Sequence, residues 1–284
     1  MKSVHLQRLT PFVALLAGAC SPLGLFNGLV PKDGAARKVA SAAYGAGPRR
    51  MLDVYVPRGR SSAARPVIIF FYGGSWSSGD RGGYAFVGRA LAARGFVTIV
   101  PDYRLVPEVT YPGFVEDGAA AVRWVRAHAA DYGGDGERIV LAGHSAGAYI
   151  AAMLALDRRW LGADRAVVRG LVGLAGPYDF APFTVGASRA AFGAWPRPAE
   201  TQPVTHTDRS SPPALLLTGA EDTTVRPRNS EALAEALRRA GAAAEVKRYP
   251  GVGHIGILTA VARPFRGNAP VVEDVAGFAE RVTR

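Results

Sequence analysis

The chain has 284 residues, of which 49% are hydrophobic and 20% are charged. That is enough apolar sequence for one large domain or two small ones, and it excludes an intrinsically disordered chain. The formal net charge is +11, but the basic residues stand singly or in pairs and no nucleic-acid-binding motif is present. An arginine-rich solvated surface therefore explains the charge, and we expect no nucleic-acid partner.

The first twenty residues, MKSVHLQRLTPFVALLAGAC, have the layout of a secretory signal. Two basic residues precede an apolar stretch at 11–19, which is too short to cross a bilayer as a mature helix. Ala17-Gly18-Ala19 is an A-x-A cleavage site, and it also resembles a bacterial lipobox with alanine where leucine is usual. Residues 1–19 are thus predicted to be a signal peptide. The exported protein is expected to be periplasmic, or anchored to the membrane through a lipidated Cys20.

Cysteine and histidine usage limits the chemistry of the chain. Cys20 is the only cysteine, which excludes an intrachain disulfide and a cysteine-cluster metal site. The five histidines show no HExxH or paired-ligand spacing. We therefore expect no metal and no cofactor.

After a lead-in at residues 20–39, apolar runs of strand length alternate with helical patterns. Alternation with period two predicts a half-exposed strand at 51–57. Continuous β-branched and aromatic runs predict strands that are buried on both faces, at 66–74, 95–103, 138–144, 167–176 and 213–222. A shorter, more polar strand at 244–251 is expected near an edge of the sheet.

Helical patterns separate these strands. Apolar residues recur at spacings of three and four in 114–130, and the last stretch, 269–282, predicts a final helix. Asn229 or Ser230 is predicted to cap a helix that stops near Gly241. The alternation predicts an α/β fold, with a mostly parallel sheet and helices on both faces. It predicts one domain over 40–284, with a small cap insertion near 176–212.

Ser145 lies in Gly143-His144-Ser145-Ala146-Gly147, a G-x-S-x-G sequence. In this motif the nucleophile sits on a sharp turn from strand to helix, and small flanking residues let the two elements pass close together. A buried strand is predicted before Ser145 and an alanine-rich helix after it, which is the context that the motif requires. Ser145 is therefore the candidate nucleophile.

A serine nucleophile needs a base and an orienting carboxylate. His254 is the candidate base, because it follows the last strand in a Gly-rich loop where the imidazole can reach the serine. Asp222 follows the strand at 213–219 and is the candidate acid, with Glu221 and Asp179 as competitors. The order Ser145, Asp222, His254 is the chain order of α/β-hydrolases.

Stabilisation of an oxyanion requires backbone N–H groups. One is expected from Ala146, and the others from the Gly-rich segment at 71–76. With these features in place, the chain resembles α/β-hydrolases of the carboxylesterase type, close to the hormone-sensitive-lipase-like and feruloyl-esterase-like groups. The matching segments run in the same order over 40–284: LDVYVP, VIIFFYGGSWSSGD, VPDYRLVPE, YGGDGERIVLAGHSAG, GAED and GVGH.

The resemblance implies that Gly74 and Ser75 donate to the oxyanion beside Ala146. One departure is Tyr72, because the family usually has a histidine at this position that orders the loop. Tyr72 is expected to take over that ordering with its hydroxyl.

The expected activity is hydrolysis of short-chain carboxylic esters through an acyl-enzyme intermediate. An arylformamidase or amidase with the same three residues is an alternative, and a non-catalytic cell-surface binding lipoprotein is another. The complete set of Ser145, Asp222 and His254 argues against the second alternative. The short acyl preference is expected because the small cap offers few apolar residues for a pocket: Phe180, Phe183, Phe192 and Trp195, with Trp76 and Leu258 nearby. Most of these aromatic residues are expected to attach the insertion to the core.

Overall fold

One eight-stranded sheet forms the centre of the protein in the computed structural model, which describes residues 22–59 and 61–284. The order across the sheet is β1-β2-β4-β3-β5-β6-β7-β8. β2 pairs antiparallel with both β1 and β4, and all other pairs are parallel. The strands are β1 Ala36–Ala43, β2 Met51–Pro57, β3 Arg65–Phe71, β4 Val97–Pro101, β5 Gly134–His144, β6 Val168–Leu174, β7 Ala214–Gly219 and β8 Ala244–Tyr249.

Helices cover both faces of this sheet. α4 and α9 both pack on β3 and β6. Every residue of β3 from Val67 to Phe71 is buried, including the side chains that point to opposite faces of the sheet. Such a strand needs cover on each side, which explains its continuous apolar sequence. The α-helices are α1 Pro22–Leu29, α2 Ala85–Ala92, α3 Gly113–His128, α4 Ala146–Leu156, α5 Arg158–Leu161, α6 Gly186–Phe192, α7 Arg228–Arg239, α8 His254–Thr259 and α9 Val271–Val282.

Short 3₁₀ helices connect several of these elements, at 81–84, 129–132, 162–167, 198–201, 203–206 and 263–268. Within the described ranges, none of the helices is both long and apolar enough to span a bilayer. The predicted signal peptide and Cys20 lie outside the described residues.

The predicted α/β architecture is confirmed, and the predicted strands match β2 to β8 with shifted ends. β8 lies at the edge of the sheet, as its polar sequence indicated. Within the segment interpreted as a lead-in, the structure has α1 and the start of β1. α2 was also missed by the sequence analysis.

The predicted cap of α7 is wrong. The helix begins at Arg228 after Pro227, and Pro227 makes no side-chain capping bond. Asn229 has another partner, because its side-chain oxygen accepts hydrogen bonds from the backbone N–H groups of Tyr178 and Asp179, at 3.0 and 3.1 Å. Asn229 thus fastens the start of the insertion at 176–212 to α7.

A second amide side chain fastens the insertion from within. The side-chain oxygen of Gln202 accepts hydrogen bonds from the backbone N–H groups of Phe180 and Ala181, at 2.7 and 3.1 Å. Gln202 is itself buried, so these bonds are shielded from water. The insertion is therefore a fixed wall beside the carboxyl ends of β6 and β7.

Candidate active site

Ser145 occupies the sharp turn between β5 and α4. Its backbone has φ 53° and ψ −122°, a conformation that a non-glycine residue adopts only when the surrounding structure enforces it. The flanking glycines are needed for close approach. A Cβ atom on Gly143 would lie 2.4 Å from the backbone of Gly147, and one on Gly147 would lie 2.1 Å from the carbonyl oxygen of Phe71. The turn therefore has the steric form that the G-x-S-x-G motif predicts.

The structure brings the three predicted catalytic side chains together. His254 Nε2 lies 3.0 Å from Ser145 Oγ, and His254 Nδ1 lies 2.8 Å from Asp222 Oδ2. The other carboxylate oxygen of Asp222 accepts hydrogen bonds from the backbone N–H groups of Thr224 and Val225, at 2.9 and 2.8 Å. Asp222 is thus buried with both oxygens satisfied, and it is oriented to hold the imidazole in one tautomer.

The competing acids lie elsewhere. Glu221 is exposed, and its side chain has no partner among the described residues; its backbone N–H donates to the carbonyl oxygen of Val252. Asp179 is also exposed and lines a cavity beside Ser145. Among the other described histidines, His128 stacks on Trp124 in α3. His206 bonds to the carbonyl oxygen of Glu200.

One detail of the sequence prediction for His254 is wrong. The residue does follow a glycine-bearing turn, but it is the first residue of α8. A second histidine lies beside it: the ring of His144 packs against that of His254, with 4.9 Å between centroids.

The side chain of His144 contacts the backbone of His254. Its Nε2 lies 3.1 Å from the carbonyl oxygen of His254. Burial, together with the nearby His254, lowers the pKa of His144 to about 3, so the ring is neutral at ordinary pH. Because Nε2 of this neutral ring faces a carbonyl oxygen, which can only accept, the proton of the ring is on Nε2. Its Nδ1 is buried with no hydrogen-bond partner among the described residues.

The oxyanion loop follows β3. Gly74 has φ 133°, and a Cβ atom there would lie 2.2 Å from the carbonyl oxygen of Ser78, so only glycine fits. Ser75 and Trp76 also have positive φ values, 53° and 59°. The backbone N–H groups of Gly74, Ser75 and Ala146 donate to no residue within 22–59 and 61–284. They are therefore available to an oxygen bound beside Ser145.

Tyr72 orders this loop from below. Its ring is stacked between those of Tyr84 and Tyr103, at centroid distances of 5.3 and 4.7 Å. Its hydroxyl donates to Asp102 Oδ1 at 3.0 Å and accepts a longer bond, 3.4 Å, from Arg49. Arg81 forms an ion pair with the same Asp102. The hydroxyl of Tyr72 is thus fixed in a buried network, and no feature local to Tyr72 in the sequence indicated these partners.

Two cavities meet at Ser145. The insertion cavity, of about 480 Å³, is lined by Trp76, Ala146, Phe180, Val185, Arg226 and Arg228. The helix-α1 cavity, of about 520 Å³, is lined by Leu23, Phe26, Tyr84, His254, Ile255 and Leu258. Ser145 is thus open on two sides, and the two sides differ in polarity.

The aromatic residues of the insertion have two different roles. Phe180 and Trp76 line the insertion cavity, as the sequence analysis expected. Phe192 is instead buried against Trp76, with 4.8 Å between ring centroids, and Phe183 packs on Phe192. Trp195 packs on Tyr111. These three aromatic residues attach the insertion to the core, and Leu258 lines the other cavity.

The mostly parallel sheet, the serine on its tight turn after β5 and the adjoining histidine and aspartate define an α/β-hydrolase with a Ser-His-Asp site. The chain matches the family model BD-FAE over residues 52–237, and it belongs to that family.

Curated relatives in this similarity group carry esterase names. The chain is 32% identical over 252 residues to a probable isoprenylcysteine alpha-carbonyl methylesterase, ICMEL1, of Oryza sativa subsp. japonica, covering 80% of this chain and 59% of the relative. It is 30% identical over 266 residues to Esterase LipC of Mycobacterium tuberculosis, covering 85% of this chain and 64% of the relative. The chain therefore spans between half and two thirds of the length of these relatives.

Solved structures support the fold. A truncated carbohydrate esterase from gut microbiota superimposes with a TM-score of 0.75 at 22% identity, covering 89% of this chain and 99% of that one. The carboxylesterase EstE1, cloned from a metagenomic library, superimposes with a TM-score of 0.73 at 23% identity, covering 92% and 93%. The sequence-based assignment to the α/β-hydrolases is thus confirmed for family and fold.

Proposed function

We propose that the protein is a serine carboxylesterase that hydrolyses short-chain carboxylic esters through an acyl-enzyme intermediate. The observation that carries this proposal is the contact of Ser145 Oγ with His254 Nε2 at 3.0 Å, in a site that opens on two cavities. The esterase names of the relatives support the same reaction class.

The positions of these groups support the following reaction. His254 Nε2 takes the proton of Ser145 as its oxygen attacks the ester carbonyl, and Asp222 stabilises the imidazolium that forms. The oxyanion accepts hydrogen bonds from the backbone N–H groups of Gly74, Ser75 and Ala146. The imidazolium then protonates the departing alcohol, and water attacks the acyl-enzyme by the same steps in reverse order.

The size of the insertion cavity supports a preference for short acyl chains. Each methylene that leaves water contributes up to about 0.8 kcal/mol, but only while a cavity wall receives it. We expect kcat/KM on p-nitrophenyl esters to peak at acyl chains of about C2–C6 and to fall for C12 and longer, because the fixed insertion limits the wall. Activation at a lipid–water interface is not expected. A maximum at C12 or above would favour a lipase.

The primary test is Ser145→Ala. We expect hydrolysis of p-nitrophenyl butyrate to fall by several orders of magnitude while the circular dichroism spectrum is unchanged, because only oxyanion stabilisation and binding remain. A fluorophosphonate probe should label the native protein at Ser145, with no labelling of the variant. The same assay includes an N-formyl aromatic amide, which tests the amidase alternative. Full esterase activity in Ser145→Ala would contradict the proposal.

The proposal for localisation concerns residues outside the described ranges. We infer from the sequence that residues 1–19 direct export and that Cys20 is a candidate for lipidation. In a bacterial host the full-length protein should fractionate with membranes, and Cys20→Ala should shift it to the periplasmic fraction. Soluble wild-type protein with an unmodified Cys20 would instead support simple cleavage after Ala19.

A further inference from the structure

Two arginines without partners lie at the mouth of the insertion cavity. Arg226 and Arg228 both line the cavity and are exposed. Within 22–59 and 61–284, neither guanidinium forms an ion pair or a hydrogen bond. Many other surface arginines are engaged, as in the pairs Arg126–Glu137 and Arg158–Asp208. Arg209 and Arg263 also have no side-chain partner among the described residues, but they do not line this cavity. The cavity beside the nucleophile therefore has strong hydrogen-bond donors that the fold itself does not use.

The position of these arginines is tied to the catalytic acid. Asp222 accepts hydrogen bonds from Thr224 and Val225, which fixes the turn that leads to Arg226. Arg228 is the first residue of α7 and lines the cavity. The positive end of the helix dipole thus adds to the charge of the side chains.

One carboxylate faces the same cavity. Asp179 lines it, is exposed, and is not within ion-pair distance of either arginine. It offsets one of the two positive charges, so the charged groups that line the cavity sum to one net positive charge. An anionic group is therefore attracted to the cavity, and Asp179 weakens that attraction.

The position of His254 assigns the two halves of an ester to the two cavities. The departing alcohol must take its proton from His254 Nε2, so it leaves on the side that His254 lines, which is the helix-α1 cavity. The insertion cavity is lined by Ala146 but not by His254. The acyl half of the ester therefore extends into the insertion cavity, toward Arg226 and Arg228.

We propose that the preferred substrates are esters whose acyl half carries a carboxylate, which Arg226 and Arg228 bind at the mouth of the insertion cavity. A guanidinium matches a carboxylate with two parallel hydrogen bonds, which gives orientation as well as attraction. This inference rests on the proposed esterase function and names the substrate class for the same site.

The experiment compares two pairs of stable esters in a pH-stat at low salt. Monomethyl adipate and methyl hexanoate differ by a carboxylate at the end of the acyl chain. 3-Acetoxypropanoate and propyl acetate differ by a carboxylate on the alcohol. The variant is Arg226→Gln/Arg228→Gln. The matched control is Arg209→Gln/Arg263→Gln, which removes two exposed arginines that do not line either cavity.

For the wild type and the control, we expect kcat/KM to be higher for monomethyl adipate than for methyl hexanoate. This ratio should fall about fivefold in Arg226→Gln/Arg228→Gln, since each exposed charge contact contributes modestly. Asp179→Asn should raise it. The ratio for the second pair should stay unchanged in all variants.

An equal loss in the control would show a general charge effect and overturn the inference. A change of the ratio in the second pair alone would place the alcohol half of the ester beside the two arginines, and it would also overturn the inference. Ser145-dependent hydrolysis with an unchanged ratio overturns this inference alone, whereas no Ser145-dependent hydrolysis of any of the four esters overturns the proposed function with it.

Discussion

The two loops that flank Ser145 are held in different ways. The oxyanion loop is held by the hydroxyl groups of three buried tyrosines. The Tyr72 hydroxyl donates to Asp102, and the Tyr103 hydroxyl donates to the carbonyl oxygen of Tyr72 at 2.8 Å. The Tyr84 hydroxyl accepts from the backbone N–H of Gly73 at 3.2 Å. The loop that ends at His254 is held mainly through its backbone. The N–H groups of Ala220 and Glu221 donate to the carbonyl oxygens of Tyr249 and Val252, at 2.9 and 3.0 Å.

This difference has a consequence for mutation. Backbone bonds are available to most residue types, so the acid–base side depends on few side chains, namely Asp222, His254 and His144. The oxyanion side depends on a cluster of hydroxyls and charges in a buried environment, where each lost partner leaves another group unsatisfied. Substitutions on the two sides should therefore affect different measurements.

The largest effect is expected on the acid–base side at Asp222. Asp222→Asn keeps the size of the side chain but leaves the imidazole in the wrong tautomer, so kcat should fall about 10⁴-fold. Glu221→Gln should change kcat little, because that side chain is exposed, and Asp179→Asn should act on substrate preference. The comparison uses kcat on p-nitrophenyl butyrate for all three variants. A larger loss in Asp179→Asn would move the acid to the preceding strand.

The next effect is on stability in acid, and it isolates His144. Its pKa is about 3 when folded and about 6.5 when unfolded, so below pH 6.5 the unfolded state binds the additional proton. Stability is therefore lost as the pH falls from 6.5 toward 3, by about 2 kcal/mol from this group between pH 6.5 and 4.5. Urea unfolding of His144→Gln should show a weaker loss over that range.

The matched control for this measurement is His128→Gln, which removes a histidine of α3 that stacks on Trp124 and lines neither cavity. An equal change of the pH dependence in this control would show that the effect is not specific to His144. Identical curves for the wild type and His144→Gln would mean that the buried ring does not resist protonation, and would weaken the assignment of the hydrogen bond to His254.

A smaller effect is expected on the oxyanion side. Tyr72→Phe removes the hydroxyl that contacts Asp102 and Arg49 but keeps the stacked ring, so kcat should fall about tenfold with little change in KM, because the loop donors act mainly in the transition state. The matched control is Tyr249→Phe, which removes a hydroxyl that donates to Asp274 of α9 and has no contact with the network around Asp102 among the described residues. Equal losses of kcat in both variants would indicate general destabilisation.

The smallest effect tests whether the oxyanion loop acts through its backbone. Ser75→Gly retains the N–H group and suits a φ of 53°, so kcat and KM on p-nitrophenyl butyrate should stay within about twofold of the wild type. A tenfold loss of kcat would show that the Ser75 hydroxyl takes part in the reaction, and it would contradict the expectation that Ser75 acts only through its backbone N–H.

Features with a local signal were predictable from the sequence. Continuous apolar runs predicted the buried strands. The glycines on either side of Ser145 predicted the close approach of β5 and α4. Asp222 and His254 each follow a strand at the same edge of the sheet. β1 has no comparable signal, because only its first residue, Ala36, is fully buried while most others face solvent. α1 carries two glycines in eight residues, which weakens any helical pattern.

Other features depend on contacts between distant parts of the chain. Tyr72 and Asp102 are 30 residues apart, and His144 meets the His254 carbonyl oxygen across 110 residues. Asn229 was predicted as a cap because Asn is common at that position. Its side-chain oxygen instead accepts hydrogen bonds from the backbone N–H groups of Tyr178 and Asp179. The charge of the insertion cavity likewise arises from residues on two separate segments.

The fastening of the insertion by Asn229 also matters to anyone who redesigns this protein. A graft that exchanges residues 176–212 for the corresponding segment of a relative takes Gln202 along but leaves Asn229 behind in α7. The donor segment must therefore present two backbone N–H groups where Tyr178 and Asp179 stand, or α7 must be exchanged with it. The segments to be exchanged together are thus the insertion and the start of α7. One junction of such a graft therefore falls in the turn that carries Asp222.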